Sequence, residues 1–154
     1  MQHFVGFVYQ HGRLHHGPGV EPFIEIQIQP HRGGKGRCSR CQRPAPGYDR
    51  LAERSWLFVP LWGIPTYFYY APRRVQCPEH GVVVEHIPWS FGKRPVTCAM
   101  MGFLARWARR LSWLETARTF HTSWEMVYRS VEWFVERGLA LRNLSGVKSI
   151  GVDE

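Results

Sequence analysis

The chain has 154 residues, 44% of them apolar, which is enough for one ordinary domain or two small ones and excludes wholesale disorder. It carries 20 Lys+Arg against 12 Asp+Glu, a formal net charge of +8 and a pI near 9.8. Only Lys35, Lys93 and Lys148 among the cations are lysines, so the excess favours a polyanionic partner and fork-type phosphate contacts over point charges.

No secretory leader precedes the first elements: "QHFVGFVYQHGRLHH" has neither a basic start nor a useful apolar run. Residues 1–22 hold four of the histidines and define no element, and the His15-His16 pair reads as part of a solvated loop. From 23 to 31, "FIEIQIQPH" alternates strictly, with Ile24, Ile26 and Ile28 on one face, and predicts a half-buried strand. The basic turn "RGGKGR" then leads to Cys38. Ser55 to Pro72 is uncharged for 18 residues, but Pro60, Gly63, Pro65 and Pro72 interrupt it. It reads as two strands around a turn near Trp62-Gly63-Ile64-Pro65, with no membrane span. "VVVEHIPW", residues 82–89, predicts a further strand.

Cys38-Ser-Arg-Cys41 and Cys77-Pro-Glu-His80 are the sharpest constellation in the chain. An x2 spacing lets two side chains of one tight turn meet one ion, and two such turns complete a tetrahedron. Gly81 follows the second turn, where a positive φ is wanted. Three Cys and one His close the coordination shell, so the expected zinc is structural. His86 is the alternative fourth ligand. Cys98 has no partner at x2 spacing and is expected to be a core thiol. The small sheet clamped by these turns is predicted to be a zinc ribbon over 23–90, with a rim of cations (Arg32, Lys35, Arg37, Arg40, Arg43, Arg50, Arg54) able either to track phosphates or simply to be solvated.

Gly and Pro punctuate 91–95, and helical periodicity follows. Three helices are predicted in 96–138. The first spans about 97–111, with Phe103, Trp107 and Leu111 inward. The second and third start at the capping boxes Ser112–Glu115 and Thr122–Glu125, with His121 as the turn. On the third, Trp124, Val127, Val131 and Val135 form the expected buried stripe. Two capped helices around a short turn form a helix-turn-helix pattern. That pattern nominates Ser123, Met126 and Arg129 for base contacts and Arg106, Arg109, Arg110 and Arg118 for phosphates. The alternative is a three-helix bundle with no nucleic-acid role. The predicted class is α+β: a β-rich zinc ribbon, then an all-α three-helix domain, then a linker and a strand over 139–154.

The motifs "CSRC", "YDRLAERSW", "RRVQCPEHG", "VEHIPW", "SWEMVYRSV" and "SIGVDE", in that order, resemble the amino-terminal part of bacterial insertion-sequence transposases of the ISL-three family, over roughly residues 23–154. The resemblance implies that the last strand opens an RNase H-like catalytic domain. Asp153 would be the first acid of a DDE triad that holds divalent metals such as Mg2+. The chain would then be the DNA-recognition part, without catalysis alone, bound to terminal inverted repeats as duplex DNA, with a homodimer on DNA as one arrangement, in the cytoplasm at the nucleoid. The family more often has Cys where this chain has His80. Competing expectations are a stand-alone regulator that occupies the repeats, an RNA-binding zinc protein, and a non-functional remnant.

Overall fold

A computed structural model describes residues 3–143 and 145. The predicted strand over 149–154, with Asp153, lies outside these residues. The fold is α+β, with two sheets in the first two thirds and three helices after them.

The larger sheet contains β1 (Phe7–Gly17), β2 (Val20–Pro30), β4 (Arg54–Leu61) and β5 (Ile64–Tyr70), in the order β1-β2-β5-β4. β1 and β2 form an antiparallel hairpin, β2 and β5 run parallel, and β4 and β5 are antiparallel. Most of the first 22 residues, which sequence reasoning left without an element, therefore form a strand, and Phe4 is part of the core. His15 and His16 stand on that strand rather than in a loop.

Alternation decides the packing. Ile26 and Ile28 of β2, Trp56 and Phe58 of β4, and Phe68 and Tyr70 of β5 point to one face and bury themselves with Phe4 and Trp89. On the other face of β4, Leu57 belongs to a second cluster with Val96, Met100, Met101, Leu104, Ala117 and Val127. β4 is thus buried on both sides, as its unbroken apolar run requires. Its free edge is covered by the chain leading to the helices: Leu57 N donates to Pro95 O (2.9 Å), and Thr97 N donates to Leu57 O (3.0 Å).

The smaller sheet has β3 (Gly47–Arg50), β6 (Arg73–Cys77) and β7 (Gly81–Val84), in the order β3-β6-β7. The sequence suggested a single ribbon whose interior strands were the apolar pair. The apolar pair instead belongs to the larger sheet, because its two-sided hydrophobicity needs cover that a small ribbon cannot provide.

Helix α1 (Cys98–Trp107) starts at Thr97, whose hydroxyl accepts from Met100 N at 3.1 Å. Its buried residues are Met100, Met101, Leu104 and Ala105. The expected inward row of Phe103, Trp107 and Leu111 is corrected: Phe103 is half-buried, Trp107 is partly exposed, and Leu111 lies beyond the helix end. Helix α2 (Trp113–Thr119) has the predicted capping box, with Ser112 Oγ accepting from Glu115 N (3.2 Å) and Ser112 N donating to Glu115 Oε2 (3.0 Å). His121 makes the α2–α3 turn with φ 53°.

Helix α3 (Trp124–Ala140) is capped by Ser123, whose Oγ accepts from Met126 N, and not by a box from Thr122 to Glu125. A box needs its acid three residues after the cap, and that place is taken by Met126. Its buried face is Val127 and Ser130, flanked by half-buried Met126 and Trp133. Of the expected stripe, Val127 is buried and Val131 half-buried, but its two ends are not: Trp124 is 55% exposed and Val135 52%. α3 has two apolar stripes, and helical periodicity alone cannot choose between them. Ser130 fits the inner one because its hydroxyl donates to Met126 O (2.6 Å) and leaves no unpaired donor.

The α2 cap gives a direct test. Ser112→Ala should cost about 1 kcal/mol in chemical denaturation at neutral pH. The Ser112 hydroxyl and amide hold the Glu115 carboxyl below its usual range. The contribution is therefore complete above the ordinary carboxylate pKa and is lost as pH falls through the depressed value. The cost of Ser112→Ala should shrink in acid.

Candidate metal centre and helical face

The first Cys pair sits in a tight turn. Cys38 O accepts from Gln42 N (3.0 Å), Cys38 N donates to Arg43 O (2.9 Å), and Gln42 has φ 62°. The second pair closes β6 onto β7, with Cys77 opposite Gly81, whose φ is +66° as its place after the turn requires. The two turns are strapped together by backbone: Cys38 bridges to Glu85, and His86 N donates to Arg37 O at 2.7 Å.

This strapping gathers Cys38, Cys41, Cys77 and His80, with all four donor atoms within 4.8 Å of one another. Cys41 Sγ lies 3.6 Å from Cys77 Sγ, and His80 Nδ1 lies 3.7 Å from Cys38 Sγ and 3.6 Å from Cys77 Sγ. Zn–S and Zn–N bonds of about 2.3 and 2.0–2.1 Å at tetrahedral angles give edges of roughly 3.6–3.8 Å. The donor set can therefore hold a metal ion such as zinc. It is too open for disulfides, whose sulfurs would be about 2.05 Å apart. The Cys41 backbone amide is the main influence on the Cys38 thiol; with the Arg40 amide and the neighbouring thiols, and against the effect of burial, it lowers that thiol to about 6. A sulfur that ionises this readily is prepared for a cation. His86 stands outside the cluster and meets the Gln42 side chain. Cys98 is the first residue of α1, half-buried, and burial raises its thiol.

Sequence reasoning missed the group beside this centre. Glu85 is buried and accepts from Arg73 Nε (2.9 Å), Arg73 Nη2 (2.6 Å), Arg73 N (2.8 Å) and the Tyr70 hydroxyl. Arg73 Nη1 donates to Gly34 O at 2.9 Å. Tyr70 belongs to the large core and Glu85 to the edge of the metal turns, so this network joins the two sheets. Burial and the Glu85 carboxylate push the Tyr70 hydroxyl well up, which keeps it a donor. Gly36 passes so close that a Cβ there would lie 2.6 Å from Val75 Cγ1. The available signal was one acid in an otherwise apolar strand run.

On the helices, Arg106, Arg109 and Arg110 are exposed at the end of α1 and in the α1–α2 turn, and form no ion pair among the described residues. Arg118 is exposed on the last turn of α2. Ser123 is exposed as the α3 cap. Met126 packs against the helical core, so its side chain is not on the solvent face. Arg129 is exposed and held by Glu125 at 2.5 Å. The polar strip of α3 also carries Glu132 and Glu136. The cationic face of this unit therefore lies on α1 and α2.

The chain is similar to two curated proteins from Mycobacterium tuberculosis, strains CDC 1551 / Oshkosh and ATCC 25618 / H37Rv, each named as a transposase for insertion sequence element IS1557. The likeness is to an insertion-sequence transposase. Identity is 29% over 134 residues, covering 85% of this chain and 30% of each relative. The chain spans about 30% of the length of these relatives. No family model matches it, and no solved structure matches it. Among the described residues, no helix is long and apolar enough to cross a membrane.

Proposed function

We propose that this chain is the zinc-dependent DNA-binding part of an insertion-sequence transposase, one that recognises terminal inverted repeats and has no strand-transfer activity alone. The likeness to the IS1557 transposases carries the reading, because it extends over both the sheets and the helices. Cys38, Cys41, Cys77 and His80 hold one zinc, whose four protein ligands leave no open position for a reactive water. Its task is to fix two turns and a three-stranded sheet that bury too little to hold themselves.

The helices form the reading unit. Arg106, Arg109, Arg110 and Arg118 meet phosphates; Ser123 and Arg129 approach base edges at the start of α3. Met126 supports that helix from within. Arg129 reads a base only by exchanging Glu125 for it, which reduces the net gain.

The test is a pair of substitutions read at three salt concentrations. Arg109→Ala should weaken terminal-repeat and random duplexes alike and flatten the log–log salt slope by about one unit. Arg129→Ala should cost about 1–3 kcal/mol on the terminal repeat and little on random duplex. Equal losses on both duplexes for Arg129→Ala would remove α3 from base reading.

A further inference from the structure

We propose that the β4–β5 hairpin is a second DNA contact, in which the Trp62 indole packs against the sugar–base surface of the duplex beside the site approached by α3. This rests on the DNA-binding reading above and adds to it an element from the sheet.

Trp62 and Gly63 are the two central residues of this hairpin, and both have positive φ, 52° and 78°. Two such residues between Leu61 and Ile64 are the pattern of a type I′ turn, where Asn-Gly is the favoured pair. A bulky aromatic residue at the first position is what turn chemistry accounts for least, since a side chain there opposes the left-handed backbone. The indole gains nothing from burial in return: Trp62 is 89% exposed. Neither the turn nor the core explains it.

Its surroundings suit a nucleic acid. Trp62 lines an open concavity of about 530 Å³ together with Leu14, Ile24, Ile64, His11 and Arg13. Arg13 is exposed and makes no ion pair among the described residues. An exposed indole and a guanidinium lining one concavity offer an apolar contact to deoxyribose together with a phosphate contact. The location agrees. The same hairpin, through Pro60, Gly63 and Pro65, borders a crevice whose other wall is Thr119, Phe120 and His121, the α2–α3 turn. His121 Nδ1 also lies 3.6 Å from Glu21 Oε2, near the tip of the neighbouring β1–β2 hairpin. The hairpin tip and the start of α3 are therefore at one end of the molecule, and a duplex against α3 passes beside the tip.

The hairpin carries no charge from Ser55 to Pro72, so this contact adds affinity without releasing counterions. That separates it from every arginine. In the zinc-loaded full chain, Trp62→Asn should lower affinity for a terminal-repeat duplex about tenfold. It should leave the salt slope unchanged and keep or raise the urea midpoint, because Asn suits the turn. Arg13→Ala should also lower affinity, with a flatter slope. Unchanged affinity in Trp62→Asn would overturn the proposal while leaving the DNA-binding reading intact. So would a loss of affinity traced by sedimentation to loss of self-association, which would assign the tip to a protein interface. Absence of binding by the wild-type chain would overturn both.

Discussion

Cys77→Ser is expected to abolish zinc binding and unravel the smaller sheet while leaving the rest of the protein folded. Zinc binding in small structural sites is worth on the order of 10–16 kcal/mol at neutral pH, and removing one of four ligands removes most of it. β3, β6 and β7 have no comparable reserve: of their residues only Val75 and Cys77 are buried apolar side chains. The larger core rests on Phe4, Ile26, Ile28, Trp56, Phe58, Phe68, Tyr70 and Trp89, and none of these touches the metal donors. The unfolding therefore stops short of the whole ribbon predicted over 23–90. β4 and β5 are now exempt because they are clamped between two cores. The outcome is read by metal stoichiometry, by new tryptic cleavage at Arg37, Arg40 and Arg74, and by unshifted emission from Trp56 and Trp89. A variant that keeps stoichiometric zinc, or one that unfolds globally, contradicts the account.

Glu85→Ala is expected to be the most damaging substitution away from the metal. It would leave the Arg73 guanidinium, with a side chain only 16% exposed, without its counter-charge. It would also strand the Arg73 amide and the Tyr70 hydroxyl. Removing one partner of a buried pair typically costs about 3–5 kcal/mol, because the remaining charge stays desolvated. Replacing both Arg73 and Glu85 by apolar residues should recover part of this and no more, since the Arg73 amide and Tyr70 hydroxyl still lack an acceptor. Urea midpoints for Glu85→Ala, Glu85→Gln and the double variant decide it. Glu85→Gln should lie between wild type and alanine.

The clustering of Cys38, Cys41, Cys77 and His80 was legible because metal chemistry demands donors in local pairs, and a pair spaced x2 is visible without knowing the fold. The Ser112 box and the His121 turn were legible for the same reason. What was not legible depends on partners distant in the chain. The strand in the first 22 residues shows no strict alternation, and its membership becomes evident only when β2 lies beside it. The ends of the buried stripe of α3 were misassigned because Trp124 and Val135 are as apolar as Met126 and Trp133, while Val127 at its centre is buried as expected. Only the approach of α1 decides between the two stripes. Glu85 could be noticed as an oddity in "VVVEHIPW", but Arg73, twelve residues earlier, could not be assigned to it from spacing.

The assignment of α1 and α2 as the phosphate-contacting surface changes how the helical unit is read. An ordinary reading helix exposes cations, whereas the polar strip of α3 holds Glu125, Glu132 and Glu136 against Arg129. On the proposed function, affinity would come mainly from the arginines of the α1–α2 turn, and discrimination from a small set of groups near Ser123. Salt should weaken binding steeply and alter sequence preference little.

The central claim is sequence-selective, zinc-dependent binding of duplex DNA, and the most direct measurement is a competition isotherm. Zinc-loaded chain on a labelled terminal-repeat duplex is challenged with unlabelled repeat, with random duplex and with single-stranded RNA at physiological salt. The account predicts displacement by the repeat at concentrations at least a hundredfold below those needed for random duplex, with RNA no better than random duplex. It also predicts that chelation weakens binding but leaves this preference in place, because the helices stay folded without the metal. Equal displacement by all three competitors, or a preference that is lost on removal of the metal while the helices stay folded, would contradict it.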